Sequence, residues 1–150
     1  MPVKSKKGFT LVELTIVIAI IGILAAIAIT NLLRVRMNAN EGIMKKELKT
    51  FSSANESYRA AQVPVNYAAT ITDLTTAAPP YLDPTWNNNQ RKGYQITYST
   101  GAPGSNTYSM FADALPNLAT TDYCIDQTGV VSAGGSGNAA GCQGGIPISS

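Results

Sequence analysis

Glu13 is the first residue that asks for a chemical explanation. It stands in KKGFTLVEL, residues 6–14, four positions after Phe9 and at the head of an apolar run. A carboxylate inside a bilayer costs about 2.5–3.5 kcal/mol on insertion scales. It must therefore reach the headgroups or meet a cation. The second candidate is the pair Cys124 and Cys142. A structural zinc site wants four ligands, and the chain has no histidine. The pair reads better as a disulfide, provided that end of the chain reaches an oxidising compartment. Its loop of about 17 residues is worth about 3 kcal/mol in the chain-entropy model. Asp113, Asp122 and Asp126 form the third candidate, as calcium ligands. Calcium wants a compact cluster of oxygens; these aspartates read instead as turn and strand-end carboxylates. Without histidine, no Ser–His–Asp triad can form. Arg91 and Lys92 are two adjacent charges, which read as a solvated face. The late glycines follow strand-like runs and carry no lysine, so they make no phosphate loop. Composition points away from an enzyme, and no metal or cofactor is expected.

The elements that must carry these residues are legible from pattern. Leu14 to Ile29 reads LTIVIAIIGILAAIAI, with Thr15 its only polar residue. Extended from Phe9 to Leu33 it reaches about 25 residues, enough to span a bilayer. Lys4, Lys6 and Lys7 flank one side, and Arg34 and Arg36 the other. Charge alone barely fixes the orientation; the cysteines place the C-terminal part outside the cytoplasm. The net charge of +2 depends on those three lysines: beyond Phe9, eight basic residues face nine acidic ones. The charge balance therefore says little about nucleic acid. A secretory signal peptide is the alternative, with Ala26-Ile27-Ala28 as its cleavage site. Glu13 opposes that reading, and so does a helical pattern that continues past Ala28.

Met44, Leu48, Phe51 and Tyr58 lie on one helical face, and Val35, Ala39 and Ile43 on a neighbouring track. Glu41 precedes Lys45 by four, the favourable order for an ion pair. A break near Asn38–Gly42 would give two helices. The simpler reading is one helix of about 50 residues, on the order of 80 Å long. Gln62 to Gly93 holds four prolines and reads as a long loop with a short helical turn around Asp73 and Leu74. Tyr94–Tyr98, Thr107–Ala112 and Asp122–Asp126 read as strands, and Gln127-Thr128-Gly129 as a turn into Val130-Val131. Three or four antiparallel strands packed on the helix are expected. Ala133–Gly145 should be loose except where Cys142 ties it back.

GFTLVEL followed by IVIAIIGILAAIAI resembles the N-terminus of type IV pilins and type II secretion pseudopilins, closely over Lys6 to Ile29. DYCIDQTGVV resembles the sheet-closing segment of many small bacterial pilins. The resemblance implies an α+β fold, one long N-terminal helix packed on a small antiparallel sheet. It divides the chain into a leader at 1–8, an apolar helix half at 9–33, an amphipathic half at 34–61, and a loop, sheet and disulfide-closed segment at 62–150. It implies that a prepilin peptidase cuts between Gly8 and Phe9 and methylates the Phe9 amine, with the small Gly8 letting the leader enter the peptidase. An assembly ATPase and a platform protein would then polymerise the chain with copies of itself. Glu13 would face the Phe9 amine of a neighbour, because a buried charge is far worse alone than paired; a subunit still in the membrane would carry a poorly satisfied carboxylate. A Glu13 that snorkels to the headgroups is the plainer alternative. Gly22 is either a close-packing point or a place where the helix loosens. Many pilins have a proline where Thr30 stands, so the usual kink is in doubt here. The resemblance implies a pilus subunit ahead of a pseudopilin. Before assembly it would sit in the inner membrane with its C-terminal part in the periplasm; afterwards it would sit in a surface pilus or a periplasmic pseudopilus. A membrane-anchored or secreted binding module is the reading from another class.

Overall fold

The computed structural model describes residues 8–102, 106–138 and 140–148. Contacts divide the chain into two units, one up to Val35 and one from Arg36 onward. A single helix, α1 (Leu11–Ala61, 51 residues), supplies most of the first unit and continues into the second. It contains no proline, and its two glycines, Gly22 and Gly42, do not interrupt it. The break considered near Asn38–Gly42 does not occur. The helix is also unbroken at Thr30.

In the second unit, α1 buries Met44, Leu48 and Phe51. Tyr58, the fourth residue of that stripe, is half-buried against the same core. The neighbouring track does not behave alike: Val35 and Ile43 remain exposed. A six-stranded antiparallel sheet receives the buried stripe. Its members are β1 (Gln90–Arg91), β2 (Tyr94–Thr100), β3 (Tyr108–Ala114), β4 (Tyr123–Asp126), β5 (Val131–Ala133) and β8 (Ile146–Pro147), in the order β1-β2-β3-β4-β5-β8. Tyr98 pairs with Met110, Met110 with Ile125 and Ile125 with Val131. With the period of two along a strand, that register puts one apolar residue from each of four strands on the same face. Phe51 sits at the centre of this core, its ring 5.5 Å from Trp86, 5.2 Å from Tyr98 and 6.1 Å from Tyr108.

The sheet exceeds the expected three or four strands because β1 and β8 hold only two residues each. Two residues carry no readable alternation, and tertiary pairing alone makes them strands. β1 joins β2 through Lys92 and Gly93, both at positive φ (47° and 86°), the two-residue hairpin geometry that glycine favours. The connection from Gln62 to Asn89 contains the expected helical turn as α2 (Ile71–Thr76), capped by a reciprocal Thr70–Asp73 box. It also contains an unanticipated 3-10 turn, Pro84–Asn87, that buries Trp86. Asn55 anchors the connection to α1. Although fully buried, it donates to the Tyr98 hydroxyl at 3.1 Å and accepts from the Ala68 N–H at 3.2 Å. Arg91 makes a second anchor, donating to both carboxylate oxygens of Glu47 at 2.8 and 3.2 Å while lying 4.3 Å from the Trp86 ring.

The glycine-rich tail is not loose. Ser136–Asn138 (β6) and Gly141–Gln143 (β7) form a second, two-stranded sheet, which contacts β3 and β4. Sequence pattern missed it because the pairing relies on small size rather than on apolar side chains. A Cβ on Gly137 would come within 2.9 Å of Ser109 Oγ, 3.0 Å of the Phe111 Cβ and 3.3 Å of Cys124 Sγ. Only glycine brings that backbone so close to the sheet.

Candidate assembly segment

The N-terminal segment is built around one local device. Thr10 precedes α1, and its carbonyl accepts from the Leu14 N–H at 3.3 Å. The Glu13 carboxylate folds back to accept both the Thr10 N–H (2.9 Å) and the Thr10 hydroxyl (2.8 Å). The Glu13 N–H in turn donates to the Thr10 hydroxyl oxygen at 3.2 Å. This is a capping box, which satisfies donors that a helix start leaves orphaned. It also sets a negative charge on the positive end of the helix dipole. In the single chain Glu13 thus takes two donors from its own Thr10, both on Oε2, a partner absent from the sequence reading. Thr10 escaped that reading, although the spacing Thr-x-x-Glu before an apolar run is itself the signal for such a box.

Gly8 and Phe9 lie just before the box. Phe9 is 81% exposed, and a Cβ on Gly8 would meet nothing within 4 Å. The lysines of the expected leader, Lys4, Lys6 and Lys7, lie outside the described residues. From Phe9 to Ile29 every side chain is exposed, and all but Thr10, Glu13 and Thr15 of the non-glycine residues are apolar. Thr15 turns its hydroxyl inward, onto the Leu11 carbonyl at 2.7 Å. By length and composition α1 can cross a membrane, and its most apolar window has mean hydropathy 2.8 with none of it buried within the chain. Exposed apolar surface of this extent needs lipid or protein around it. Gly22 sits within this run, and among the described residues nothing lies within 4 Å of where a Cβ on it would stand.

At the other end of the chain, Cys124 and Cys142 are joined, with their Cα atoms 5.8 Å apart. Asp126 reinforces the closure. Its Oδ2 accepts from the Cys142 N–H at 3.1 Å, and its Oδ1 accepts from the N–H and hydroxyl of Thr128 at 2.9 and 2.6 Å. Partial burial pushes the Asp126 carboxyl upward, but the three hydrogen bonds outweigh it and hold the group below its usual range. Asp122 accepts from the Ala114 N–H at 2.8 Å. Asp122 and Asp126 thus serve a strand end and a turn, while Asp113 lies exposed within β3. Among the described residues no group of three His, Cys, Asp or Glu is placed to hold a metal ion.

Glu41 departs from its expected pairing with Lys45. It accepts from the Thr120 N–H (3.2 Å), the Thr120 hydroxyl (2.6 Å) and the Tyr123 hydroxyl (3.3 Å). Lys45 instead lies 5.1 Å from the Tyr123 ring centre. Burial raises the Glu41 carboxyl, yet these donors and the Lys45 charge leave it lowered on balance.

Residues 3–29 match the family model for the prokaryotic N-terminal methylation motif. The chain is similar to the type IV major pilin protein PilA of Myxococcus xanthus, 48% identical over 52 residues, which is 35% of this chain and 24% of that protein. It is likewise similar to the type IV wide pilus major component PilA4 of Thermus thermophilus, 48% identical over 56 residues, 37% of this chain and 43% of that protein. The chain thus spans less than half the length of each of these curated relatives. It carries the N-terminal methylation motif over residues 3–29 and, over about a third of its length, is similar to type IV pilins.

Proposed function

We propose that this chain is a structural, non-enzymatic subunit of a type IV pilus. A prepilin peptidase cuts it after Gly8 and methylates the new amine of Phe9. An assembly ATPase and a platform protein then draw the subunit from the inner membrane, its C-terminal part in the periplasm, into a homopolymer. The observation that carries the reading is the helix start itself: a fully exposed apolar run whose one carboxylate, Glu13, lies four residues from Phe9. In a bundle of such helices the Phe9 amine needs an anion, and Glu13 is the one within that run. The Thr10 box holds the Glu13 side chain at the helix start, where a neighbour's amine can join it. Both relatives named above are called major pilus components, which favours a pilus over a secretion pseudopilus. The mass of the mature protein tests the processing: it should begin at Phe9 and carry one methyl group. A mature chain beginning after Ala28 would overturn it.

A further inference from the structure

Successive residues of a strand aim their N–H and C=O groups at opposite neighbours. Around β2 the odd-numbered residues face β3. The Gly93 carbonyl accepts from the Leu115 N–H at 3.0 Å, and the Gly101 N–H donates to the Thr107 carbonyl at 3.0 Å. The even-numbered residues face away from β3, as the Ile96 N–H does in donating to the Asn89 carbonyl at 2.7 Å. Beyond that bond the lane beside β2 is open. Among the described residues, nothing pairs with the Ile96 C=O, the Tyr98 N–H and C=O, or the Thr100 N–H. β1 leaves them uncovered because it holds only two residues. Gln90 opposes Gln95, so a longer β1 would put residue 87 opposite Tyr98. Asn87 belongs instead to the 3-10 turn that buries Trp86. The far edge of the sheet is closed differently. There the Ile148 N–H donates to the Val131 carbonyl at 2.9 Å. That bond turns its neighbour Pro147, which has no N–H, to the outside of β8.

We propose that the open edge of β2 binds an extended, uncharged peptide segment of another protein, which joins the sheet as a further strand. Unpaired main-chain groups at strand spacing are a template for such pairing, and strand addition is a recurring mode of peptide recognition. A cleft of about 390 Å³ lies beside the edge, lined by residues 69–72 and 95–98 with Asn87 and Asn89. Its volume is at the lower end of ligand clefts, about 300–1,000 Å³; it admits a few residues of chain rather than a folded partner. None of these lining residues is charged, so a charged side chain entering the cleft would lose water and gain no partner. Threonine and valine suit both a neutral lining and the strand conformation. The edge is already in strand form. All seven residues of β2 pair with β3, and the Tyr98 hydroxyl donates to the Ala68 carbonyl at 2.7 Å. Binding therefore has only the peptide to order.

The test is a titration of the full chain, in zwitterionic detergent, with a blocked Thr-Val-Thr-Val-Thr peptide. The backbone amide resonances of Tyr98 and Thr100 should shift saturably, while those of Thr97 and Ser99, which face β3, should move less. An added strand bonds to its neighbour through alternate residues only. Two derivatives exploit this, one N-methylated on both valines and the other on all threonines. One of them should bind about tenfold more weakly than the other. Blocked pentaglutamate should give no saturable shift. Four outcomes would overturn the proposal: no saturable shift at Tyr98, equal binding of the two N-methylated derivatives, an equal response to pentaglutamate, or the same shifts growing with protein concentration alone. The last would assign the edge to a second copy of this chain. None of them bears on processing after Gly8, which is tested separately.

Discussion

The carboxylate of Glu13 accepts both the backbone N–H of Thr10, at 2.9 Å, and its hydroxyl, at 2.8 Å. It closes the start of a 51-residue helix within the single chain; in the proposed filament its negative charge would also meet an incoming Phe9 amine. The two roles separate on mutation.

Glu13→Ala should still be cut, methylated and retained in the membrane, because the apolar run is unchanged. Its loss from the cap should cost about 1 kcal/mol locally, too little to unfold the chain. Filament yield in the sheared surface fraction should nonetheless fall by an order of magnitude or more. Thr10→Val, which keeps the charge and removes the hydroxyl, should retain most of that yield. Wild-type yield from Glu13→Ala would sink the pairing account.

Removing the disulfide should free the tail but leave the sheet. In Cys124→Ala, about 3 kcal/mol of loop closure is lost, while the Asp126 contacts to Cys142 and Thr128 remain. Limited proteolysis should then cut between Ser136 and Gly145 first, and the melting temperature of the soluble portion should drop. Equal protease resistance with and without reductant would contradict this.

Gly137→Ala offers a sharper check that the tail forms a packed layer. Its new methyl would press on Ser109, Phe111 and Cys124; overpacking of this kind costs about 1–3 kcal/mol. Gly22→Ala, where nothing lies within 4 Å, should instead stiffen the helix by about 1 kcal/mol. Urea midpoints for the first and helix content by circular dichroism for the second would read out both.

Arg91 is held to Glu47 through two hydrogen bonds and stacks on Trp86. Arg91→Lys keeps the charge but cannot reproduce the fork or the stacking. With both side chains mostly buried (14% and 18% exposed), it should lose about 1 kcal/mol, and Arg91→Ala about 2 kcal/mol. Denaturation midpoints would show the order; a lysine variant as stable as the parent would refute it.

Stability should change little between pH 6 and 8, since the chain has no histidine. Glu41 and Asp126 are both held below their ordinary values of 4.5 and 3.8. A depressed folded value means that the unfolded chain binds protons first, so stability is complete above those ordinary values and falls as pH drops through them. At the alkaline end, burial first, and the nearby Glu56 and Asp126 charges after it, push the Tyr108 phenol up to about 12 against the partly opposing Ser52 hydrogen bond. Its contribution is complete below pH 10 and is lost as pH rises through about 12. Thermal melts across pH should show this plateau, and Asp126→Asn should flatten its acid edge.

The sequence by itself determined the helix, its exposed apolar start, the strands β2 to β4 and the cysteine pair. Each rests on local pattern: a missing proline, a period of 3.6 or 2, or a charge in an apolar run. Thr10 was also legible, in the Thr-x-x-Glu spacing. What only tertiary structure decided were the two-residue strands β1 and β8, the β6–β7 layer, the turn burying Trp86, and the choice of Thr120 and Tyr123 over Lys45 as partners of Glu41. The reason is common to all of them. Such contacts depend on which distant backbone approaches, and glycines such as Gly137, or side chains such as Glu41 with several feasible partners, write no period into the sequence that would reveal it.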